Sequence, residues 1–230
     1  NRLVDRNIDA KNERTAGREI PGGLIPSKHA LIFVLVNVSA FIVTTWFINF
    51  LCFVLSPVAL AVVLGYSYTK RFTWLCHFVL GLGLALAPVG AYLAVGGQFD
   101  WIPVMLGFAV LTWVSGFDII YALQDIQFDR REGLHSVPVR AGFFRSLRIS
   151  EGLHVLTGTL IVGIAYFLEA NYPQFGWLLR IGSIIFIVLL AYQHTLVRDE
   201  NLSRVNLAFF TTNGIASVLF AVFLIGDIVL

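Results

Sequence analysis

Seven long apolar stretches, separated by shorter polar connections, dominate the chain. Almost no position in them carries a formal charge, and they cover residues 30–50, 53–69, 73–95, 102–122, 150–168, 178–196 and 206–226. Each approaches the ~20 residues that an α-helix needs to cross a bilayer. The pattern predicts an all-α fold, a polytopic transmembrane helix bundle in which about seven spans are present.

The composition supports the same interpretation. Hydrophobic residues make up 57% of the 230 positions and charged residues only 13%, whereas soluble domains carry roughly one quarter charged residues. This excludes a soluble globular protein. We therefore expect the lipid bilayer to surround the chain, and we expect no nucleic acid as a partner.

The basic residues are distributed unequally between the two ends of the predicted spans. If the connections alternate sides, residues 1–29, 70–72, 123–149 and 197–205 share one face, called face A, and the other connections share face B. Of the sixteen lysines and arginines, Arg180 alone falls on face B. Because cytoplasmic loops carry the excess of bases, we expect an integral protein of a plasma membrane, such as the bacterial inner membrane, with face A cytoplasmic.

Two groups of oxygen-bearing side chains fall on face A at helical spacing. Residues four, seven or eleven positions apart lie on nearly the same side of a helix. The first group is Asn1, Asp5 and Asp9, and the second is Asp118, Tyr121, Asp125 and Asp129. If both segments are helical, the acids form two stripes that face a common site.

Acids spaced in this way repel one another on a helix, and a divalent cation removes that cost. Hard oxygen ligands select Mg²⁺, which proteins hold through one or two carboxylates and the phosphate oxygens of a substrate. Asp118 lies inside a span, where an acid is costly and indicates function. Lys70 and Arg71 emerge at face A next to Tyr66 and Ser67. Basic side chains at this place could bind the negative charge of a diphosphate.

A cation- or proton-coupled transporter is the alternative function, because intramembrane acids also mark ion pathways. Transporters place such acids near the middle of the membrane, often on interrupted helices in two related halves. Here the acids crowd one face, and the middles of most spans carry no charge. The distribution favours an enzyme.

Four segments of the chain resemble the motifs of the UbiA superfamily of intramembrane aromatic prenyltransferases. NRLVDRNID at residues 1–9 is similar to the first motif, N-x-x-x-D-x-x-x-D, and RTAGR at residues 14–18 to its continuation. YALQDIQFD at residues 121–129 resembles the second motif, Y-x-x-x-D-x-x-x-D. YSYTKR at residues 66–71 resembles the element with tyrosine followed by lysine and arginine.

The resemblance implies transfer of a polyprenyl group from an allylic polyprenyl diphosphate to an aromatic acceptor, as in the biosynthesis of ubiquinone or menaquinone. Two Mg²⁺ ions would bridge the diphosphate, the first held by Asn1, Asp5 and Asp9 and the second by Asp125 and Asp129. The residues that would act in catalysis are Lys70, Arg71, Tyr66, Tyr121 and Asp118. The residues that would bind substrate are Arg14, Arg18, Ser67 and Asn206.

Two points stay open on the sequence alone. The acceptor is 4-hydroxybenzoate or 1,4-dihydroxy-6-naphthoate, because the loop at residues 133–138 resembles the menaquinone branch of the family. Asp118 is an additional acid whose task is either catalysis or the orientation of Tyr121 or of a base. Tyr66, Tyr121, Tyr68 and Phe117 are candidates for stabilising an allylic cation through their ring faces.

The family has nine transmembrane helices, and its first motif ends the second helix. We therefore expect residues 1–230 to be a single transmembrane prenyltransferase domain that is truncated at its N-terminus, without the first helix and most of the second. His77, His154 and His194 are expected to be packed or interfacial residues. Asn213 is expected to join helices by hydrogen bonds, and Gly81, Gly83 and Gly90 to be close-packing positions.

Overall fold

The structure, a computed structural model, describes residues 1–197 and 202–230. Within these ranges all regular elements are helices. They are α1 (Arg6–Asp9), α2 (Ser27–Ile48), α3 (Phe50–Thr69), α4 (Cys76–Gly96), α5 (Trp101–Ala122), α6 (Ile126–Arg131), α7 (Val137–Ala141), α8 (Phe143–Asn171), α9 (Trp177–Leu196) and α10 (Asn213–Val229). A 3₁₀ turn (Leu123–Asp125) joins α5 to α6, and a π-helical segment (Leu207–Thr212) leads into α10.

Seven helical segments among the described residues are long and apolar enough to cross a membrane, which confirms the predicted all-α bundle. One difference in bounds concerns α8, which begins at Phe143 although the predicted span begins at residue 150. Polar residues such as Arg145 and Arg148 lower the hydropathy of this first part but do not prevent a helix. The predicted connection at 197–205 lies partly outside the described residues.

Helix α5 lies at the centre of the bundle and packs against both α4 and α8. Small residues allow these close approaches, since lipid provides no hydrophobic drive for helix association. Gly81 on α4 is such a position, because a Cβ there would lie 2.6 Å from the carbonyl oxygen of Leu111 and 2.6 Å from Ser115 Oγ. The expectation was wrong for Gly90, which has open space around it, and Gly83 has room for a Cβ.

A polar network in the interior joins α5, α9 and the start of α10. Trp113 Nε1 donates a hydrogen bond of 3.0 Å to Asn213 Oδ1, and the buried Gln193 amide donates to the same oxygen. Asn213 Nδ2 donates in turn to the carbonyl of Phe209 at 2.7 Å. The expectation that Asn213 joins helices is therefore confirmed.

The predicted continuous stripe of the second motif is interrupted. Asp118 and Tyr121 lie on α5, Asp125 ends the 3₁₀ turn, and Asp129 lies on α6. A short 3₁₀ segment inside a long helix often marks a functional position. It changes the helical period just where the chain leaves the span, so that both aspartates remain on the inner side of the bundle, buried.

Candidate active site

A cavity of about 210 Å³ opens at one end of the bundle, where α3 ends, α4 begins and α5 continues into α6. The N-terminal segment closes one side of it. Of the residues expected to bind metal, to act in catalysis or to bind substrate, all except Asn206 line this cavity; they are Asn1, Asp5, Asp9, Arg14, Arg18, Tyr66, Ser67, Lys70, Arg71, Asp118, Tyr121, Asp125 and Asp129. The structure thus brings together four segments that are far apart in the sequence.

The first motif reaches the cavity without forming the long helix that its spacing suggested. Only α1 is helical by regular hydrogen bonds, although the backbone N–H groups of Asp5 and Asp9 bond to the carbonyl groups four residues earlier at 3.0 and 2.7 Å. Asn1 Nδ2 donates to Asp5 Oδ2 at 2.7 Å. Thr15 fixes the end of the segment by donating to the carbonyl oxygen of Asp9 at 2.9 Å.

Each of the four motif aspartates in the cavity faces one basic side chain. The nitrogen–oxygen distances are 3.2 Å for Asp5 and Arg71, 2.8 Å for Asp9 and Arg18, 2.5 Å for Asp125 and Arg14, and 2.8 Å for Asp129 and Lys70. Opposite charges at these distances attract each other, and the attraction is screened less where the aspartate is buried. Acids and bases therefore alternate around the cavity wall.

Arg14 makes the most extensive of these contacts. Its Nε and Nη2 donate to the two carboxylate oxygens of Asp125 at 3.2 and 2.5 Å, and its Nη1 donates to the Tyr121 hydroxyl at 2.8 Å. The guanidinium carbon also lies 5.2 Å from the centre of the Tyr121 ring. The continuation of the first motif is thereby joined to the second motif.

Burial and pairing change the acidity of three groups at the membrane surface. Burial raises the pKa of Asp5, and the hydrogen bond and charge of Arg71 offset this only in part. Burial by itself would lower the pKa of Arg14 and of Lys70, but the attraction of Asp125 and Asp129 outweighs it, and both pKa values are raised. The two bases therefore remain cationic at neutral pH.

The oxygen-bearing side chains fit a hard divalent cation, as the resemblance implied. Asp129 is fully buried, and neither of its carboxylate oxygens accepts a hydrogen bond of good geometry from a described residue, although the Lys70 ammonium is near. A buried carboxylate whose oxygens accept no hydrogen bond can still bind a cation. In the described part of the chain, no three Asp, Glu, His or Cys residues surround one metal position, and the motif aspartates instead face basic side chains.

His77 is the cavity residue that the sequence interpretation missed. It lies in the first turn of α4, is buried, and has Nδ1 2.6 Å from Asp118 Oδ2. A lone histidine at a span end carries no spacing signal. Its place directly after the Lys70 and Arg71 loop, at the same face, was the clue that the sequence offered.

Three residues proposed for substrate contacts do not line the cavity. Asn206 is exposed at the start of the π-helical segment, and Phe117 packs against Phe209 with ring centres 5.2 Å apart. Tyr68 is not among the residues that line the cavity, and it is 48% exposed. Their predicted roles depended on nearness to face A, but nearness to a face does not determine whether a side chain lies on the side of its helix that meets the cavity.

A charged cavity inside a bundle of apolar helices is typical of a membrane-embedded enzyme, and comparison with known proteins gives its class as a prenyltransferase. The sequence profile of the UbiA prenyltransferase family matches residues 1–215. The chain therefore belongs to the UbiA prenyltransferase family, which confirms the resemblance of its motifs.

Two similar relatives carry the same name. The 4-hydroxybenzoate octaprenyltransferase of Aliivibrio salmonicida is 31% identical over 221 residues, which cover 96% of this chain and 75% of the relative. That of Tolumonas auensis is 32% identical over 222 residues, again 96% of this chain and 75% of the relative.

Solved structures show the same fold. A UbiA homologue from Aeropyrum pernix K1, in its apo form, has a TM-score of 0.86 and 27% identity, and the match covers 99% of this chain and 82% of the homologue. A homologue from Archaeoglobus fulgidus, bound to DMAPP and Mg²⁺, has a TM-score of 0.70 and 23% identity, covering 99% of this chain and 81% of that one. The second likeness concerns the fold alone.

Proposed function

We propose that the protein transfers a polyprenyl group from an allylic polyprenyl diphosphate to 4-hydroxybenzoate in quinone biosynthesis, in a reaction that depends on Mg²⁺. The single observation that carries the proposal is the cavity in which both aspartate motifs and their basic partners meet. The names of the relatives at 31 and 32% identity support this acceptor over 1,4-dihydroxy-6-naphthoate.

The charge of the cavity supports a diphosphate held together with two divalent cations. Five aspartates and four lysines or arginines line it, so that its formal charge is −1 if His77 is neutral. A diphosphate ester carries about three negative charges, and two divalent cations bring the total to zero. Asn1, Asp5 and Asp9 would hold one ion, and Asp125 and Asp129 the other.

The bases of the cavity would act on the leaving group. When the bond between the allylic carbon and the diphosphate oxygen breaks, the electron pair stays with the diphosphate, whose added charge Lys70, Arg71 and Arg14 stabilise. Bound Mg²⁺ would add Lewis-acid stabilisation of the same oxygens. For this step the bases must turn from their aspartate partners toward the substrate, with Arg18 and Ser67 as further donors.

The aromatic and apolar wall would take the allylic cation and the acceptor. Tyr66 and Tyr121 line the cavity, and their ring faces stabilise positive charge. A ring carbon of 4-hydroxybenzoate then supplies the electron pair for the new carbon–carbon bond, and the same carbon loses its proton to the released diphosphate, which restores the aromatic ring. Leu80 and Ala122 keep water away from the cation.

The test uses the full-length protein in membranes with a polyprenyl diphosphate, Mg²⁺ and each of the two acceptors. We expect prenylated 4-hydroxybenzoate that disappears with a metal chelator and in Asp5→Ala and Asp129→Ala. Glu19→Gln is the matched control, because Glu19 is 57% exposed and forms only a surface pair with Arg2. Product at the wild-type level in both alanine variants would refute the metal assignment. Product from 1,4-dihydroxy-6-naphthoate alone would show that the naphthoate, and not 4-hydroxybenzoate, is the acceptor.

We further propose that the cavity opens on the cytoplasmic side of the bacterial inner membrane. The bases of face A support this orientation by the positive-inside rule, and the paired Arg180 stays at the opposite end of the bundle. A cysteine introduced at the exposed Arg131 should react with an impermeant maleimide in inverted vesicles and not in intact cells. Reaction in intact cells would reverse the orientation.

A further inference from the structure

His77 forms two hydrogen bonds through its side chain, one through each ring nitrogen. Nδ1 lies 2.6 Å from Asp118 Oδ2 on α5, and Nε2 accepts from the backbone N–H of Val137 at 3.3 Å. The ring is only 2% exposed. It therefore connects α4, α5 and the start of α7 on the cavity wall.

The hydrogen bond from Val137 to Nε2 determines which ring nitrogen of His77 carries the proton. A backbone N–H can only donate, so Nε2 of His77 must present its lone pair to Val137. The remaining ring proton of a neutral imidazole is then on Nδ1, from which it is donated to Asp118. The geometry therefore selects the neutral Nδ1–H tautomer, with Oδ2 of Asp118 as acceptor.

Asp118 differs from the other cavity aspartates in its partner. The other four each face an arginine or lysine, whereas among the described residues His77 alone bonds to the Asp118 side chain. A carboxylate whose partner is a neutral imidazole keeps its negative charge unbalanced, so it repels a diphosphate and attracts a hydrogen-bond donor. With Oδ2 occupied, Oδ1 is the atom left to accept from the hydroxyl group of an aromatic acceptor.

The loop that supplies Val137 is itself fixed to the diphosphate side of the cavity. The N–H of His135 donates to the carbonyl of Lys70 at 2.7 Å, and the N–H of Leu134 donates to that of Asp129 at 2.8 Å. His77 therefore stands between this loop and Asp118. A shift of the loop would change the orientation of the Asp118 carboxylate.

We propose that His77 is a positioning residue for the aromatic acceptor: fixed in its Nδ1–H tautomer by the Val137 N–H, it orients the Asp118 carboxylate toward the acceptor hydroxyl and couples that orientation to the loop at residues 133–138. The proposal rests on the proposed function. It assigns His77 no contact with the diphosphate or with a metal ion.

Two substitutions separate the two hydrogen bonds. The amide nitrogen of His77→Asn can take the place of Nδ1 and still donate to Asp118, whereas the longer side chain of His77→Gln can reach the place of Nε2 and accept from Val137. We expect His77→Asn to stay within about threefold of the wild-type KM for the acceptor. We expect His77→Gln to lower kcat/KM for the acceptor ~10-fold or more, since a hydrogen bond to a charged group is lost, with the KM for the diphosphate unchanged.

A merely structural role would affect both variants alike and both substrates alike, and that outcome would overturn the proposal. A double variant provides the second kinetic check, because His77→Gln should have no further effect on the acceptor in an Asp118→Asn background. An additive loss there would also count against it. His29→Gln is the control, since His29 is exposed at the start of α2 and does not line the cavity.

Nitrogen-15 NMR of histidine-labelled full-length protein tests the tautomer without any turnover. We expect His77 to carry its proton on Nδ1, and the Val137 amide to exchange faster in His77→Asn than in His77→Gln. A proton on Nε2 of the wild type would overturn the inference. A wild type that makes no product, but shows the Nδ1–H tautomer, would instead refute the proposed function.

Discussion

Arg14 Nη2 lies 2.5 Å from Asp125 Oδ2, although the two residues are 111 positions apart in the chain. The contact joins the loop after the first aspartate motif to the centre of the second motif. A planar guanidinium matches both carboxylate oxygens, which an ammonium group does not. The contact therefore depends on the planar shape of the Arg14 guanidinium as well as on its charge.

Arg14→Lys should therefore reduce activity although the charge is kept. The lysine loses the two-pronged contact with Asp125 and the hydrogen bond to Tyr121, and we expect kcat/KM for the prenyl diphosphate to fall ~10-fold or more. Arg2→Lys, at an exposed surface pair, is the matched control and should leave it unchanged. Equal rates for the two variants would show that charge alone is needed.

Lys70 should stabilise the fold as well as act on the substrate. Asp129 has no exposed side-chain surface, and Lys70 is its ion-pair partner. Lys70→Met leaves a buried carboxylate without its counter-charge, and we expect the free energy of unfolding to fall by about 1–3 kcal/mol. This loss is smaller than for a fully buried ion pair because the Lys70 side chain is itself one-third exposed.

The double variant Lys70→Met with Asp129→Asn separates stability from catalysis. Removal of both charges should restore much of the thermal stability in detergent, while product formation stays abolished. If the double variant unfolds at the same temperature as Lys70→Met alone, the ion pair does not explain the loss.

Gly81→Ala should loosen the contact between α4 and α5. The added methyl group would meet the backbone oxygen of Leu111 at 2.6 Å, which the helix can relieve only by moving. We expect a lower melting temperature in detergent. Gly90→Ala on the same helix provides the control: it meets open space and gains helix propensity, so that a similar loss there would contradict the packing argument.

Asp227→Ala should destabilise the end of the bundle opposite the cavity. The Asp227 carboxylate on α10 accepts hydrogen bonds from the backbone N–H groups of Gly176, Leu178 and Leu179 at 2.9, 3.3 and 2.7 Å, and so caps the start of α9. Loss of a helix cap costs about 1–2 kcal/mol. Thermal unfolding should place Asp227→Asn, which keeps one acceptor oxygen, between wild type and alanine, while an unchanged alanine variant would exclude the cap.

The sequence by itself determined the fold class and most of the members of the cavity. Seven apolar stretches of bilayer length leave a chain few alternatives to a helical bundle, since unpaired backbone groups are too costly in lipid. Alternation of the spans then places both acid motifs, Lys70 and Arg71 at one face. For this reason Asp5, Asp9, Asp125 and Asp129 could be predicted to meet before any contact was known.

Tertiary structure decided which side of each helix carries these residues and what each one contacts. Nearness to face A did not separate Tyr66, which lines the cavity, from Tyr68 and Asn206, which do not. Residues two positions apart, such as Tyr66 and Tyr68, lie about 200° apart around a helix, and nearness to face A does not say which side of the helix meets the cavity. The role of His77 depends on bonds to Asp118 and Val137, 41 and 60 positions away. Hydropathy and spacing describe positions along single helices, whereas ion pairing, tautomers and the need for Gly81 arise between helices.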